Sequence, residues 1–485
     1  MNQIIETLSF DDVLISPRYS NIQSRKTINL KTQLTKNISL NLPLISSPMD
    51  TITESKMAIE MALNGGLGII HRYNTIEQQV DMVKQVKRHL SFVIENPYTI
   101  LETETVDDLL AKIKQYNVYS YLVTDETNTL KGIVTKRDLN AHIMSNNTER
   151  RNSVKISKIM TPFIVVIYLY HESFSKKDVE NLMNERKLEK IPIIDKDQKI
   201  RGMILHKNLM NYKMNKNTYS FDKNNSLLVG AAVGIVGDYL ERAKKLVEVG
   251  CDILCIDVAN GYNQTVYNVV QELKNLNVDI MVGNVCNEDG FEFLCKAGAD
   301  CIRVGIGNGS ICSTRLVTGV GSGQFTALMQ CRQMARKYNV GMISDGGHLG
   351  KDGNIAKAFV VGANAMILGK TLAATDETPG RIINRNNRRV KYYRGMASAM
   401  AMISKSEISK QEYNENQTSE GVDMEIEIKG PVQNILKRIE SSVKSTMSYI
   451  GCENTDNLRN IENEIIYYRQ SVGVMAETSI RGKTV

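Results

Sequence analysis

Between Gly305 and Gln324 the chain reads GIGNGSICSTRLVTGVGSGQ, which sets one thiol, Cys312, among hydroxyls and glycines. Glycines at 305, 307 and 309 let the backbone take positive φ and come close to an anion. A thiol so placed is a nucleophile beside a phosphate cradle, with Thr314 and Arg315 directly after it. A glycine-rich loop alone also serves as a plain turn between strand and helix, so the surrounding elements have to decide between the two.

The other cysteines, at 251, 255, 286, 295, 301, 331 and 452, lie in apolar strand-like or helical sequence without CxxC pairing and read as reduced core residues. Six scattered histidines offer no ligand cluster for a metal. With 42% hydrophobic and 23% charged residues over 485 positions, the chain has the composition of a globular protein of about three structural units. Its 60 basic and 53 acidic residues give a net charge of +7, spread along the chain, which reads as solubility and not as a nucleic-acid surface. No apolar run reaches the ~20 residues that span a bilayer, and the start MNQIIETLSFDD lacks a signal peptide's basic and apolar regions. The expectation is a cytoplasmic protein with no membrane partner. The ending GKTV differs from the SKL type and leaves an organelle open.

The elements that would hold the loop are legible as apolar runs. LPLISSPM at 42–49 and GGLGII at 65–70 come first, with a helix predicted over Thr75 to Arg88 from Ile76, Val80, Val83 and Val86. After about residue 226 the rhythm continues with runs at 228–235, 253–258, 280–285, 301–306, 340–347 and 365–369. Helical patterns lie between them, such as Tyr239 to Val249 and Gly323 to Tyr338. Buried strands alternating with amphipathic helices indicate parallel α/β structure, and eight such strands predict a closed (β/α)8 TIM barrel. Functional residues should then sit where strands end, as Asp257, Asn284, the Gly305 loop, Asp345 and Gly369 do.

The barrel rhythm is interrupted. VDDLLAKIKQYNVYSYLVTDETNTLKGIVTKRDL at 106–139 and KKDVENLMNERKLEKIPIIDKDQKIRGMILHKNL at 176–209 share one order of elements, a repeat with a period of roughly 70 residues. Through LKGIVTKRDL and IRGMILHKNL the pair resembles a tandem CBS (Bateman) domain. The predicted organisation is barrel over 1–89, tandem CBS insertion over 90–213, and barrel again over 214–485, with a polar linker at 215–226 and a mobile flap at about 400–430.

The whole chain resembles the family of inosine monophosphate dehydrogenase and guanosine monophosphate reductase. The matching runs are LSFDDVLISP at 8–17, SSPMDTITE at 46–54, GIGNGSICSTR at 305–315, SDGG at 344–347 and YRGMAS at 393–398. The resemblance implies that the loop cysteine attacks C2 of a bound purine mononucleotide. The dehydrogenase then passes hydride to NAD and hydrolyses the adduct, whereas the reductase expels ammonia from GMP and accepts hydride from NADPH. IDVANGY at 256–262 is worded as in reductases, as are, more weakly, NIAKAF at 354–359 and STMSYIG at 445–451. In the segment SKSEISKQEYNENQTSEG at 404–421, Glu412-Tyr413 stands near the place of the dehydrogenases' Arg-Tyr, and a carboxylate cannot reproduce a guanidinium. The N-terminal third and the CBS tandem are dehydrogenase-like. The balance favours the NADPH-dependent reductase, with the NAD-dependent dehydrogenase second and a non-catalytic nucleotide sensor third.

The residue roles implied by this resemblance are as follows. Cys312 is the nucleophile, and Thr314 with Glu420 serves the departing group. Ser310, Gly347, Gly369 and Tyr393 meet the phosphate and Asp345 the ribose. Ser47, Met49, Gly395, Met396 and Ser419 surround the purine, plain core packing being the other reading of both methionines. Asp257, Asn260, Gly305 and Gly307 lie on the cofactor side. Carbonyls of Gly307, Gly309 and Cys312 could hold a K+ ion, as in dehydrogenases. Lys370 departs from the small residue usual after Gly369, and either adds a cation or points outward. The run before Glu420 reads Gln417-Thr418-Ser419 and lacks the reductases' arginine. Thr135 and Asp138 match CBS nucleotide ligands, giving purine nucleotide effectors or, on the other reading, a structural tandem. His206 and Asn208 replace the matching run in the second copy. Assembly as a homotetramer or an octamer follows from the family.

Overall fold

A strand covered on both faces needs apolar side chains at every position, and short runs of Val, Ile, Leu, Ala and Cys meet that need here. In the computed structural model, which describes residues 4–90, 93–94, 97–145, 153–162, 168–169, 176–398, 401, 403 and 419–478, eight such runs form a closed parallel barrel. They are β1 (Leu44–Ser46), β2 (Leu67–Ile70), β3 (Val229–Val233), β4 (Ile253–Asp257), β5 (Asp279–Val285), β6 (Cys301–Val304), β7 (Gly341–Asp345) and β8 (Ala365–Leu368), with β8 pairing back to β1. All eight coincide with predicted runs. Every residue in them is buried except Asp257, Asn284 and Asp345, which are half-buried at or next to C-terminal ends.

Inward-facing residues such as Ile45, Leu67, Ile69, Ile253, Cys255, Met281, Cys301, Ile343 and Ile367 form one cluster with Leu34, Ile38 and Leu40 of a preceding hairpin. Thr35 and Asn37 of that hairpin bind the Asp279 carboxylate at the start of β5, so the hairpin plugs the N-terminal end. The barrel is therefore a packed core with its open mouth at the other end. The predicted helix after β2 runs Ile76–Arg88, with Thr75 and Gln78 forming a reciprocal capping box. The other two predicted helices run Tyr239–Glu248 and Gln324–Tyr338.

Beyond the barrel, β9 (Ile383–Arg385), β10 (Arg388–Arg394) and β11 (Asp423–Glu427) form an antiparallel sheet that the sequence reading did not anticipate. β11 falls within the stretch expected to be a flap. Glu412, Tyr413, Gln417 and Thr418 lie outside the described residues.

The chain divides into two compact units, Met1–His89 with Lys216–Lys223 and Leu227–Val485, and Leu90–Asn215 with Asn224–Ser226. Much of the expected linker packs on the barrel. Ser220 N donates to Ala62 O at 2.8 Å, and Asp222 pairs with Lys87 at 2.9 Å. In the second unit the helices and strands starting at 106, 120, 130 and 136 recur at 176, 190, 200 and 206. Each copy contributes to a four-stranded sheet.

Candidate active site

The mouth of the barrel holds a cavity of about 480 Å³. Gly305 follows β6 at φ +142°, where an added Cβ would collide with the Asp345 carbonyl, so only glycine lets the loop turn over β7. The loop leads to Cys312, which is exposed, and then to the short helix Thr314–Thr318. Cys312 Sγ lies 3.1 Å from Thr314 Oγ1, and that hydroxyl donates to Glu420 Oε2 at 2.7 Å. The lead into β11 is stitched to the cysteine loop, Ser313 N donating to Glu420 O at 2.9 Å and Val422 N to Ile311 O at 3.0 Å. The unanticipated sheet is what delivers the carboxylate to the thiol.

The same cavity is lined by a charge network that sequence reasoning missed. Arg303, buried in β6, donates through Nη1 to Asp257 Oδ1 at 2.6 Å and through Nη2 to Asp345 Oδ2 at 2.7 Å. Burial alone would lower its pKa, but the two carboxylates outweigh that and hold it well above its usual value. Asn284 Nδ2 donates to Asp345 Oδ2 at 2.9 Å and to Gly305 O at 2.7 Å. The network fixes Asp345 as an acceptor on the cavity wall. An arginine inside the apolar run CIRVGI, with Asp closing the runs ILCID two strands before it and GMISD one strand after it, was the available signal.

Ser310, Gly347, Gly369 and Tyr393 line the same cavity, the first three on the loops after β6, β7 and β8. Tyr393 is buried in β10, and its hydroxyl comes so near Gly369 that a Cβ there would sit 2.9 Å away. Burial raises the Tyr393 pKa strongly, with a hydrogen bond to Ser310 pulling the other way, so the phenol remains a donor. The Gly347 N–H is already bonded to Asn308 O at 2.9 Å. His348, buried and lining the same cavity, has its pKa lowered to about 4 by desolvation, against the pull of Asp345, and its Nδ1 accepts from Gly350 N at 3.1 Å. Lys370 is exposed and lines the cavity.

Ser47, Met49, Gly395 and Met396 also reach the cavity, and Tyr73 Oη donates to Met396 O at 2.7 Å. Gly307 and Gly309 line it too, the Gly309 carbonyl accepting from Cys312 N at 3.1 Å. Two expected residues are placed elsewhere. Ser419 is turned to the backbone, donating to Ala397 O at 3.2 Å and Gly421 O at 3.0 Å. Asn260 is exposed and lines a neighbouring apolar cleft of about 360 Å³ with Tyr262, Cys286 and Val320. Cys286 is thus half-buried at the core's edge, and the six cysteines at 251, 255, 295, 301, 331 and 452 are buried and free. In the second unit, Thr135 N and Oγ1 donate to Asp138 Oδ2 at 2.8 and 2.6 Å, and Thr161 Oγ1 donates to Asp138 Oδ1 at 3.2 Å. In the other copy His206 Nε2 lies 3.0 Å from Asn184 Oδ1.

The model of the IMP dehydrogenase / GMP reductase domain matches residues 7–479. The chain belongs to this family. Its members are oxidoreductases that use nicotinamide cofactors. Among relatives of the family, the inosine-5'-monophosphate dehydrogenase of Nitrosopumilus maritimus is 39% identical over 453 residues, covering 92% of each chain. A GMP reductase of Leishmania major is 36% identical over 459 residues, covering 92% of this chain and 91% of its own. A cysteine-to-alanine variant of GMP reductase from Trypanosoma brucei, solved in complex with guanosine 5'-monophosphate, superposes with a TM-score of 0.91 at 35% identity over 99% of both chains. No helix among the described residues is long and apolar enough to cross a membrane.

Proposed function

We propose that the protein is a GMP reductase, converting GMP to IMP and ammonia at the expense of NADPH. The observation that carries the reading is the chain of contacts from Cys312 through Thr314 to Glu420. The thiol proton passes by way of Thr314 toward Glu420 as sulfur attacks C2 of the purine. The same carboxyl then returns a proton to the 2-amino group, which leaves as ammonia and gives a thioimidate on Cys312. A bound nicotinamide cofactor supplies the hydride that this carbon accepts, after which the thiolate leaves and IMP is released. Nicotinamide fits this mouth, since Asn284 on the cavity wall keeps a buried carbonyl oxygen without a donor, suited to a carboxamide N–H. Asp345, Tyr393 and Ser310 are proposed to hold ribose and phosphate.

The sequence supports the reductase further, because no arginine lies between Arg394 and Glu420 to activate a hydrolytic water. The structural likeness to a GMP-bound reductase points the same way. The competing reading, an NAD-dependent IMP dehydrogenase, is favoured by the slightly higher identity to dehydrogenases. Incubation with GMP and NADPH should oxidise the cofactor and release ammonia. No oxidation, with NADH formed instead from IMP and NAD, would establish the dehydrogenase. The inserted repeat is proposed as a site for purine nucleotide effectors at Thr135 and Asp138, read by adding such nucleotides to the assay.

A further inference from the structure

Strand β11 is tied to the barrel on both sides. The lead into it carries Glu420 to the cysteine loop. Its trailing side carries Lys429, whose Nζ donates to Lys370 O at 2.7 Å and to Thr371 O at 3.1 Å, while its backbone N–H donates to Ala374 O at 3.0 Å. These carbonyls belong to the turn that follows β8 and Gly369. Lys391 of β10 holds the next part of the same segment, through Thr375 O at 2.9 Å and Thr378 O at 2.7 Å. A carbonyl is held more strongly by an ammonium than by a neutral amine, so the grip on this turn depends on charge.

One residue joins that turn to the cavity. Lys370 lines the cavity, and its N–H bonds to the Tyr393 hydroxyl, as Ser310 does. Its carbonyl is the one that Lys429 takes at 2.7 Å. No carboxylate pairs with Lys429 or Lys370 among the described residues. The charges that act on Lys429 are Lys370 from the turn and Arg438 from the helix Val432–Tyr449, both repulsive. Asp352 holds Arg438 at 3.0 Å, Glu377 accepts from Val432 N at 2.9 Å, and Asp376 and Glu377 act on Lys391 instead. Desolvation, with the two cations adding to it, lowers the Lys429 pKa to about 8. We propose that Lys429 is a positioning residue for the mononucleotide's phosphate, holding the Lys370 backbone against Tyr393 while its ammonium is charged. This rests on the reading of Tyr393 and Ser310 as phosphate ligands. It does not depend on which of the two reactions runs, because GMP and IMP carry the same phosphate. An arriving dianion in turn favours the charged ammonium, so phosphate binding and protonation support each other.

Calorimetric titration of the full chain in a Cys312→Ala background, where the loop thiol neither titrates nor adds to the base, reads the binding of GMP and of guanosine between pH 7 and 9. With Lys429 in place, GMP affinity should fall by about threefold to tenfold over that range as the ammonium loses its proton. Lys429→Arg keeps a charged donor throughout, so it should bind GMP within about threefold of the parent at pH 7 and lose that part of the fall. Ionisation of the guanine is common to both chains and cancels in their ratio. Lys429→Met should weaken GMP about tenfold at pH 7 and leave guanosine, whose binding also reports folding, within about twofold. A preference for GMP over guanosine that Lys429→Met leaves intact overturns the proposal, and so does an equal loss of guanosine or an alkaline fall that Lys429→Arg retains in full. If the parent itself binds GMP no better than guanosine, the reading of the phosphate ligands fails, and the proposal falls with it.

Discussion

At the scale of single residues, the two candidate reactions ask different things of Glu420. Expelling an amine needs a proton on nitrogen, whereas expelling hydride to a cofactor needs none. Glu420→Gln keeps the hydrogen bond to Thr314 and removes the acid, so it should cut GMP turnover by roughly 10²- to 10⁴-fold with little change in GMP affinity. Rapid-mixing measurement of cofactor oxidation checks this, and a variant with full turnover would exclude Glu420 as the acid. His348 makes a separate prediction. Its folded pKa of about 4 lies below the ordinary value of about 6.5, so the unfolded chain binds the extra proton between the two. Stability should fall as pH drops through that window, by up to about 3 kcal/mol, and His348→Gln should flatten the slope in urea unfolding between these pH values. The residues found from sequence alone were those with unusual chemistry in unusual places, Cys312 above all. Arg303 escaped because its partners lie 46 and 42 residues away, and only the barrel brings them beside it.

At the scale of elements, β1 to β8 were legible because a strand covered on both faces must be apolar throughout, and such runs stand out against amphipathic helices. β9 to β11 were not. Few of their residues are buried and many are charged, as in RRVKYYR, and they owe their order to pairing with one another. Missing them hid the route by which Tyr393 and Glu420 reach the cysteine loop. The return from the inserted repeat was similarly opaque. Lys87, near the end of its helix, binds Asp222 at 2.9 Å and Asp252 at 2.5 Å, so the point of exit and the point of return are clamped by one ammonium. Burial pushes the Asp252 carboxyl up to about 6, with Lys87 pulling it down. Lys87→Met strands two buried carboxylates and should destabilise the barrel by about 3–5 kcal/mol. Without Lys87 the Asp252 pKa rises further, so the native state binds more protons than the unfolded chain. The loss should therefore be greatest above about pH 6 and shrink as the carboxyl protonates below it, a trend that urea denaturation at pH 5 and 8 would show or refute.

At the scale of the molecule, the barrel closes with strands from one unit only, and nothing in its hydrogen-bonded ring comes from residues 90–215. The inserted unit has its own buried clusters, around Val106, Tyr121 and Val134 in one copy and Val179, Ile191 and Ile204 in the other. A unit that buries its own apolar surface has little need of its host for stability, and the host, sealed by the Lys87 clamp at the junction, has little need of it. Both follow from the sequence pattern, since the repeat interrupts the strand rhythm without replacing any strand. Replacing residues 90–215 by a short Gly-Ser linker should therefore leave a folded barrel, because the chain ends to be joined are already held together through Lys87 and Asp222. Turnover of the mononucleotide should stay within about fivefold of the full chain, each factor of five being only about 1 kcal/mol. Any response to added purine nucleotides outside the mouth should disappear. A shortened chain that folds by circular dichroism, binds mononucleotide and yet has lost turnover would show that the insertion acts on the chemistry itself.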